Sequence, residues 1–110
     1  MTYTVIFSAS AEVDLFAIYD YIARRAGTGI ALQFVERIEA YCLGFENAPE
    51  RATRRDDLRS GLRTVGFRRR ATILFEVDRH AGKVIIHGVY YAGRNFASET
   101  GEEDITDEQS

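Results

Sequence analysis

Thirteen of the 14 basic side chains in this 110-residue sequence are arginines, and eight of those fall between Arg51 and Arg70, where only Asp56 and Asp57 oppose them. A guanidinium is planar, permanently charged and able to make two parallel hydrogen bonds to a carboxylate or a phosphate, so the bias selects clamps over diffuse attraction. Clamps alone do not move protons. With a pKa above about 12, arginine is a poor base near neutral pH, and the groups that could exchange a proton are few: the adjacent Tyr90 and Tyr91, if neighbouring arginines perturb them, and His80 and His87. His80 falls in a turn. His87 lies mid-strand, where it reads as a hydrogen-bonded structural histidine, and neither has an obvious carboxylate partner in the sequence. No HExxH, CxxC or acidic cluster suggests a metal. No glycine-rich phosphate loop precedes a helix, so no cofactor is expected. Cys42, the single cysteine, occupies an apolar position in a helical pattern and reads as a buried reduced thiol.

The arginines sort by the elements that must hold them. Arg24, Arg25 and Arg37 lie on helix faces, where they are solvated or paired with Glu36 or Glu39 and contribute little. Arg51, Arg54, Arg55 and Arg59 lie in a polar connector and suit contact with an acidic segment or DNA. Arg63, Arg69, Arg70 and Arg94 lie on or beside a sheet within residues 61–96, GLRTVGFRRRATILFEVDRHAGKVIIHGVYYAGRNF. A strand fixes a guanidinium more tightly than a loop does, so these four are the best target-contacting candidates. Charged strand ends also discourage sheet-to-sheet aggregation.

Periodicity outlines the supporting elements. Tyr3, Val5 and Phe7 share one parity, as in a half-buried strand. Ser8 is positioned as the N-cap of a helix, with Glu12 and Asp14 where the helix dipole favours negative charge. Its apolar stripe is Ala11, Leu15, Ile18 and Ile22, and Gly27-Thr28-Gly29 stops it. Ala31, Phe34, Val35, Ile38, Cys42 and Phe45 predict a second helix from near Thr28 to about Asn47, closed by Pro49. So short a connection makes the two helices an antiparallel hairpin. Residues 50–60 read as a loop, with room for one helical turn around Asp57 and Leu58. Ile73, Phe75 and Val77 share a parity in one strand, Val84 and Ile86 in the next, and the two join at Arg79-His80-Ala81-Gly82. Val89 then follows Ile86 by three. Either a bulge near His87-Gly88 absorbs that slip, or both faces of the strand are covered.

Strand, two helices, then three strands is an α+β order, with an antiparallel helical hairpin docked on a mainly antiparallel sheet. The length suits one domain, residues 1–98. Residues 99–110 contain six acids and no base, leaving 11 acids against 14 bases in residues 1–98 and hiding a basic body beneath a net charge of −3. This acidic tail reads as disordered and solubilising, or as an electrostatic screen over the arginines. With no leader-like N-terminus and no apolar run of about 18 residues, a cytosolic protein is expected.

Taken together, these stretches resemble a known family. The opening strand runs into Ser8, Ala11, Asp14, Leu15, Ile18, Tyr21 and Ile22. Ala31 follows early in the second helix, then Pro49, Gly61-Leu62-Arg63, the strand FRRRATILFEVD, and VIIHGVYYAGRN leaving through a small-residue–arginine turn. Over residues 3 to about 96 the chain resembles a ParE-type toxin of the RelE/ParE superfamily of bacterial toxin–antitoxin systems. The resemblance implies a toxin held inactive in a hetero-oligomer by a ParD-like antitoxin, for which Arg51, Arg54, Arg55 and Arg59 become contact candidates. It implies poisoning of DNA gyrase, with Arg63, Arg69, Arg70, Tyr91 and Arg94 as target-binding candidates and no catalytic residue. RelE-like relatives imply instead a metal-independent, ribosome-dependent mRNA endonuclease, whose site here would be Tyr90, Tyr91, Arg63 and Arg94. A degenerate module that only binds antitoxin is the third alternative. The chain departs from the family pattern at Tyr91, often His, at Phe75, often Tyr, and in residues 99–110, which extend past it.

Overall fold

Ser8 begins the helical layer as its residue type predicts: its hydroxyl accepts the Ala11 amide proton at 3.0 Å, satisfying one of the donors a helix N-terminus leaves open. In the computed structural model, which describes residues 2–47, the backbone of 53–54, and residues 61–92, β1 is Thr4–Phe7, α1 Ala9–Ala26 and α2 Thr28–Leu43. A 3₁₀ turn, Gly44–Glu46, follows, then β2 Thr53–Arg54, β3 Leu62–Phe67, β4 Ala71–Asp78 and β5 Lys83–Tyr91. Gly27 alone joins the helices. Its φ of 100° lies where a side chain would be strained, while its amide closes α1 on the Ala23 carbonyl and its own carbonyl accepts from Ala31.

Ala11, Leu15, Ile18 and Ile22 of α1 and Ala31, Ile38 and Cys42 of α2 are buried, so each predicted stripe becomes the seam facing the sheet. The α-helix stops at Leu43, short of the expected Asn47. Gly44 is a poor helix former, and tightening into a 3₁₀ turn brings Phe45 into a stack on Phe75 with ring centroids 4.5 Å apart. Pro49 lies outside the described residues, as does the turn expected at Asp57 and Leu58.

The five strands are ordered β1-β5-β4-β3-β2. Pairing is antiparallel from β2 through β5, but β1 runs parallel to β5, with Val5 opposite Val84. The stretch read as a loop therefore contains a strand, because Thr53 and Arg54 pair with Thr64 and Arg63. Between β4 and β5 the register slips: Leu74 faces Gly88 and Phe75 faces Ile86, leaving His87 as the extra residue of the predicted bulge. Side chains alternate along a strand, so one inserted residue reverses the parity that follows. Val84 and Ile86 face the helices before the bulge; Val89 and Tyr91 join the same core after it.

Candidate functional site

The bulge opens a gap in the sheet's hydrogen bonding, and α1 fills it. Asp14, buried in the helix–sheet seam, accepts a hydrogen bond from the Val89 amide at 3.0 Å. A Cβ on Gly88 would stand 3.2 Å from the same Asp14 oxygen, so the glycine lets the carboxylate approach. Ser8 grips the other side, its amide donating to the Ile86 carbonyl at 3.0 Å and its hydroxyl to that of His87 at 3.4 Å. Asp14 is thus part of a structural anchor. A role limited to the helix dipole is corrected by its burial.

On the sheet face away from the helices, His87 Nε2 lies 2.9 Å from Glu76 Oε1, each side chain a little over a quarter exposed. This carboxylate partner corrects the expectation that His87 had none. Which partner donates depends on the ring's tautomer. Tyr90 belongs to this face, opposite Thr72. Tyr91 does not: it is buried, edge-on to Phe34 at 5.4 Å and Tyr21 at 5.9 Å.

At one end of the sheet β3 turns into β4 through Arg68, Arg69 and Arg70, all exposed. Arg68 and Arg69 have φ of 54° and 61°, and the Arg70 amide donates to the Phe67 carbonyl at 3.2 Å. Positive φ at both central residues belongs to mirror-image hairpin turns, where Asn-Gly is the usual solution. Arginine there costs about 1 kcal/mol per residue. Arg68 rests its guanidinium 5.4 Å from the Phe67 ring centroid. Arg69 and Arg70 make no ion pair with any other described residue.

A family model described as the ParE toxin of the type II toxin-antitoxin system parDE matches residues 5–96. The chain belongs to this family. Among solved structures, the chromosomal ParDE toxin–antitoxin system of P. aeruginosa contains a chain 22% identical, with a TM-score of 0.70 over 82% of this chain and 96% of that one. The RelBE2 toxin–antitoxin complex of Mycobacterium tuberculosis gives 20% identity and a TM-score of 0.64, over 84% and 94% of the two chains. These likenesses show a shared fold. Comparison with curated proteins finds no match.

The ParE-family fold does not gather the predicted residues into one cluster. Arg63 pairs with Phe75 across the ladder and shares the helix-facing parity with Val65 and Phe67, whereas Glu76 belongs to the opposite parity. Four strand positions, about 13 Å, separate Arg63 from Phe67 at the edge of the arginine turn. Arg69 and Arg70 are exposed as expected of contact residues. Tyr91, expected at the rim, is a core ring, because the bulge turns its parity inward. Arg51, Arg55, Arg59 and Arg94 lie outside the described residues, and of Arg54 only the backbone is placed. On the helices, Arg24 and Arg25 are exposed, as the solvated alternative expected, Arg24 pairing with Asp20 at 3.0 Å and Arg25 stacking 3.9 Å over Tyr21. Cys42 is buried, and burial together with the nearby Glu39 charge pushes its thiol up to about 12, which favours the protonated thiol near neutral pH. Among the described residues no group of His, Cys, Asp or Glu could hold a metal, and no helix is long and apolar enough to cross a membrane.

Proposed function

We propose that this ParE-family chain inhibits DNA gyrase in the cytoplasm, with residues 1–98 as the toxin domain and a ParD-like antitoxin as its neutralising partner. The family match over residues 5–96 carries the proposal. The geometry is consistent with a toxin that acts by contact: Arg68, Arg69 and Arg70 face solvent together in one hairpin turn, and its backbone strain is explained if the guanidiniums meet a partner's carboxylates or phosphates. The helical layer leaves Val13 and Phe16 exposed on α1, and Ile30, Leu32 and Leu43 on α2. An amphipathic antitoxin segment would cover such apolar area.

The His87–Glu76 pair favours a second reading, an mRNA endonuclease. Such an enzyme must deprotonate a ribose hydroxyl, stabilise a pentavalent phosphate and protonate a leaving oxygen. A histidine oriented by a carboxylate could act as the base, with Tyr90 on the same face. The strand arginine Arg63 belongs to the other face, which weighs against a phosphate clamp there. Purified chain assayed in parallel for gyrase supercoiling and for cleavage of mRNA on programmed ribosomes separates the readings. Gyrase inhibition relieved by the cognate antitoxin is expected; mRNA cleavage with gyrase untouched would overturn the proposal.

A further inference from the structure

One end of the molecule is built from three described segments that contain no Asp or Glu: residues 21–35, where α1 ends and α2 begins, residues 61–75, which hold the arginine turn, and residues 88–92, where β5 ends. Ring contacts and one backbone bond bring the three together. Tyr91 of β5 meets Tyr21 of α1 at 5.9 Å and Phe34 of α2 at 5.4 Å, and Phe34 meets Phe67 of β3 at 5.9 Å between ring centroids. The Ala92 amide donates to the Arg70 carbonyl at 2.6 Å. Five exposed arginines flank this aromatic row: Arg24 and Arg25 in the last turn of α1, and Arg68, Arg69 and Arg70 in the turn. Asp20 takes up Arg24 at 3.0 Å. The other four make no ion pair with a described residue.

The rings also restrain the guanidiniums. Arg25 lies 3.9 Å over the Tyr21 ring and donates to the Tyr21 carbonyl at 3.5 Å, while Arg68 lies 5.4 Å from the Phe67 ring centroid. A guanidinium laid against a ring gives up part of its freedom before a ligand arrives and keeps N–H groups for it. The ring under Arg25 and the ring beside Arg68 are three ring-to-ring steps of 5.4–5.9 Å apart, a separation on the scale of a groove of B-DNA, about 12 Å wide on the major side.

We propose that this end of the chain binds the phosphate backbone of duplex DNA, with Arg25 on one row of phosphates and Arg68, Arg69 and Arg70 on the other. A duplex carries one negative charge per about 1.7 Å of axis, in two rows that its grooves hold apart. An acidic peptide would be satisfied by either cluster alone and gives no reason for both on one acid-free surface. Contacts of this kind read no base sequence. The inference rests on the arginine turn as the contact surface of the proposed function, names the chemistry of the partner there, and adds Arg25 to it.

The full chain titrated into a fluorescein-labelled duplex of mixed sequence, followed by anisotropy, tests this. Four phosphate contacts predict binding that weakens about 100-fold between 50 and 200 mM salt, with the same affinity for a second, unrelated duplex. Arg25→Gln should reduce that salt effect to about 40-fold and Arg69→Gln/Arg70→Gln to about 10-fold, each with weaker binding at 50 mM salt. Lys83→Gln, at the opposite end of β5, should change neither. Two independent variants, on different layers, keep the test valid if one of them folds poorly. No binding at 50 mM salt, or a salt effect that Arg25→Gln and the turn variant leave unchanged, would overturn the proposal. So would tighter binding of a labelled oligoglutamate peptide, which would make the surface one for acidic protein, or of a single-stranded RNA, which needs no paired rows. No gyrase enters these assays. A chain that inhibits supercoiling without binding duplex contradicts this inference and leaves the proposed function standing.

Discussion

The sheet breaks its own regularity in two places, at the His87 bulge in β5 and at the arginine turn between β3 and β4, and the molecule treats the two breaks in opposite ways. At the bulge every disturbance is answered from within. Asp14 takes the Val89 amide, Ser8 takes the carbonyls of Ile86 and His87, and Gly88 makes room for the carboxylate. At the turn, two arginines occupy left-handed backbone where Asn-Gly would relax, and their charge faces water. An irregularity repaired internally is architecture. One left strained and exposed, on a fold otherwise well satisfied, points to a partner outside.

The largest effect that would break this contrast is at Asp14. Replacing it with alanine removes a charged acceptor and leaves the Val89 amide buried without it, so Asp14→Ala should lower stability by about 2–3 kcal/mol in urea titrations. A loss within experimental error would show that the bulge does not depend on α1. The anchor's close contact is tested next by Gly88→Ala, which crowds the Asp14 oxygen and should cost about 1–2 kcal/mol. In the Asp14→Ala background most of that cost should disappear, a coupling that a double-mutant cycle reads directly.

The interior side of the comparison has a pH signature. The Cys42 thiol is raised from 9.0 to about 12 in the folded chain, so below pH 9 both folded and unfolded forms keep the proton and the group adds no pH dependence. Above pH 9 the unfolded chain ionises first. Stability should then fall through the window up to about pH 12 with a slope approaching about 1.4 kcal/mol per pH unit from this group. The slope difference between wild type and Cys42→Ala, measured by urea denaturation across pH 9–11, isolates it. Parallel slopes would contradict the assignment.

The smallest effect has the opposite sign. Arg68→Asn/Arg69→Gly gives the turn its preferred residues and should stabilise the chain by about 1 kcal/mol, seen as a higher midpoint in urea. A destabilised variant would mean that the arginines hold the hairpin together, and the contrast would collapse.

Much of the scaffold was legible in the sequence because a single face dictated it. The stripes of α1 and α2, the parity of β1 and β4, the Ser8 cap and the bulge all follow from which residues had to face one core. The pieces that were not legible depend on register between segments. β2 is two residues long, and only its pairing with Arg63 and Thr64 makes it a strand. The His87–Glu76 contact exists because the bulge shifts His87 along β4, which no spacing within β5 reveals. Tyr91 was read at the rim because the sequence placed it beside Tyr90 and Arg94; carrying the predicted bulge through to its parity would have turned it inward. Asp14 gave a usable signal, since it stands three residues after Ala11 and four before Ile18, inside the apolar stripe, where an acid needs a buried donor. The exposed arginines of the turn were legible as charge. Their left-handed backbone was not.

We propose that this ParE-family toxin meets its target through the arginine turn. The most direct test is inhibition of gyrase supercoiling by the wild type and by Arg68→Asn/Arg69→Gly, with the variant first shown to fold by circular dichroism and by its urea midpoint. The variant should be folded and slightly more stable, with inhibitory potency lower by about tenfold or more, consistent with the loss of two charge-assisted contacts. A folded variant that inhibits gyrase as well as the wild type would contradict the proposal.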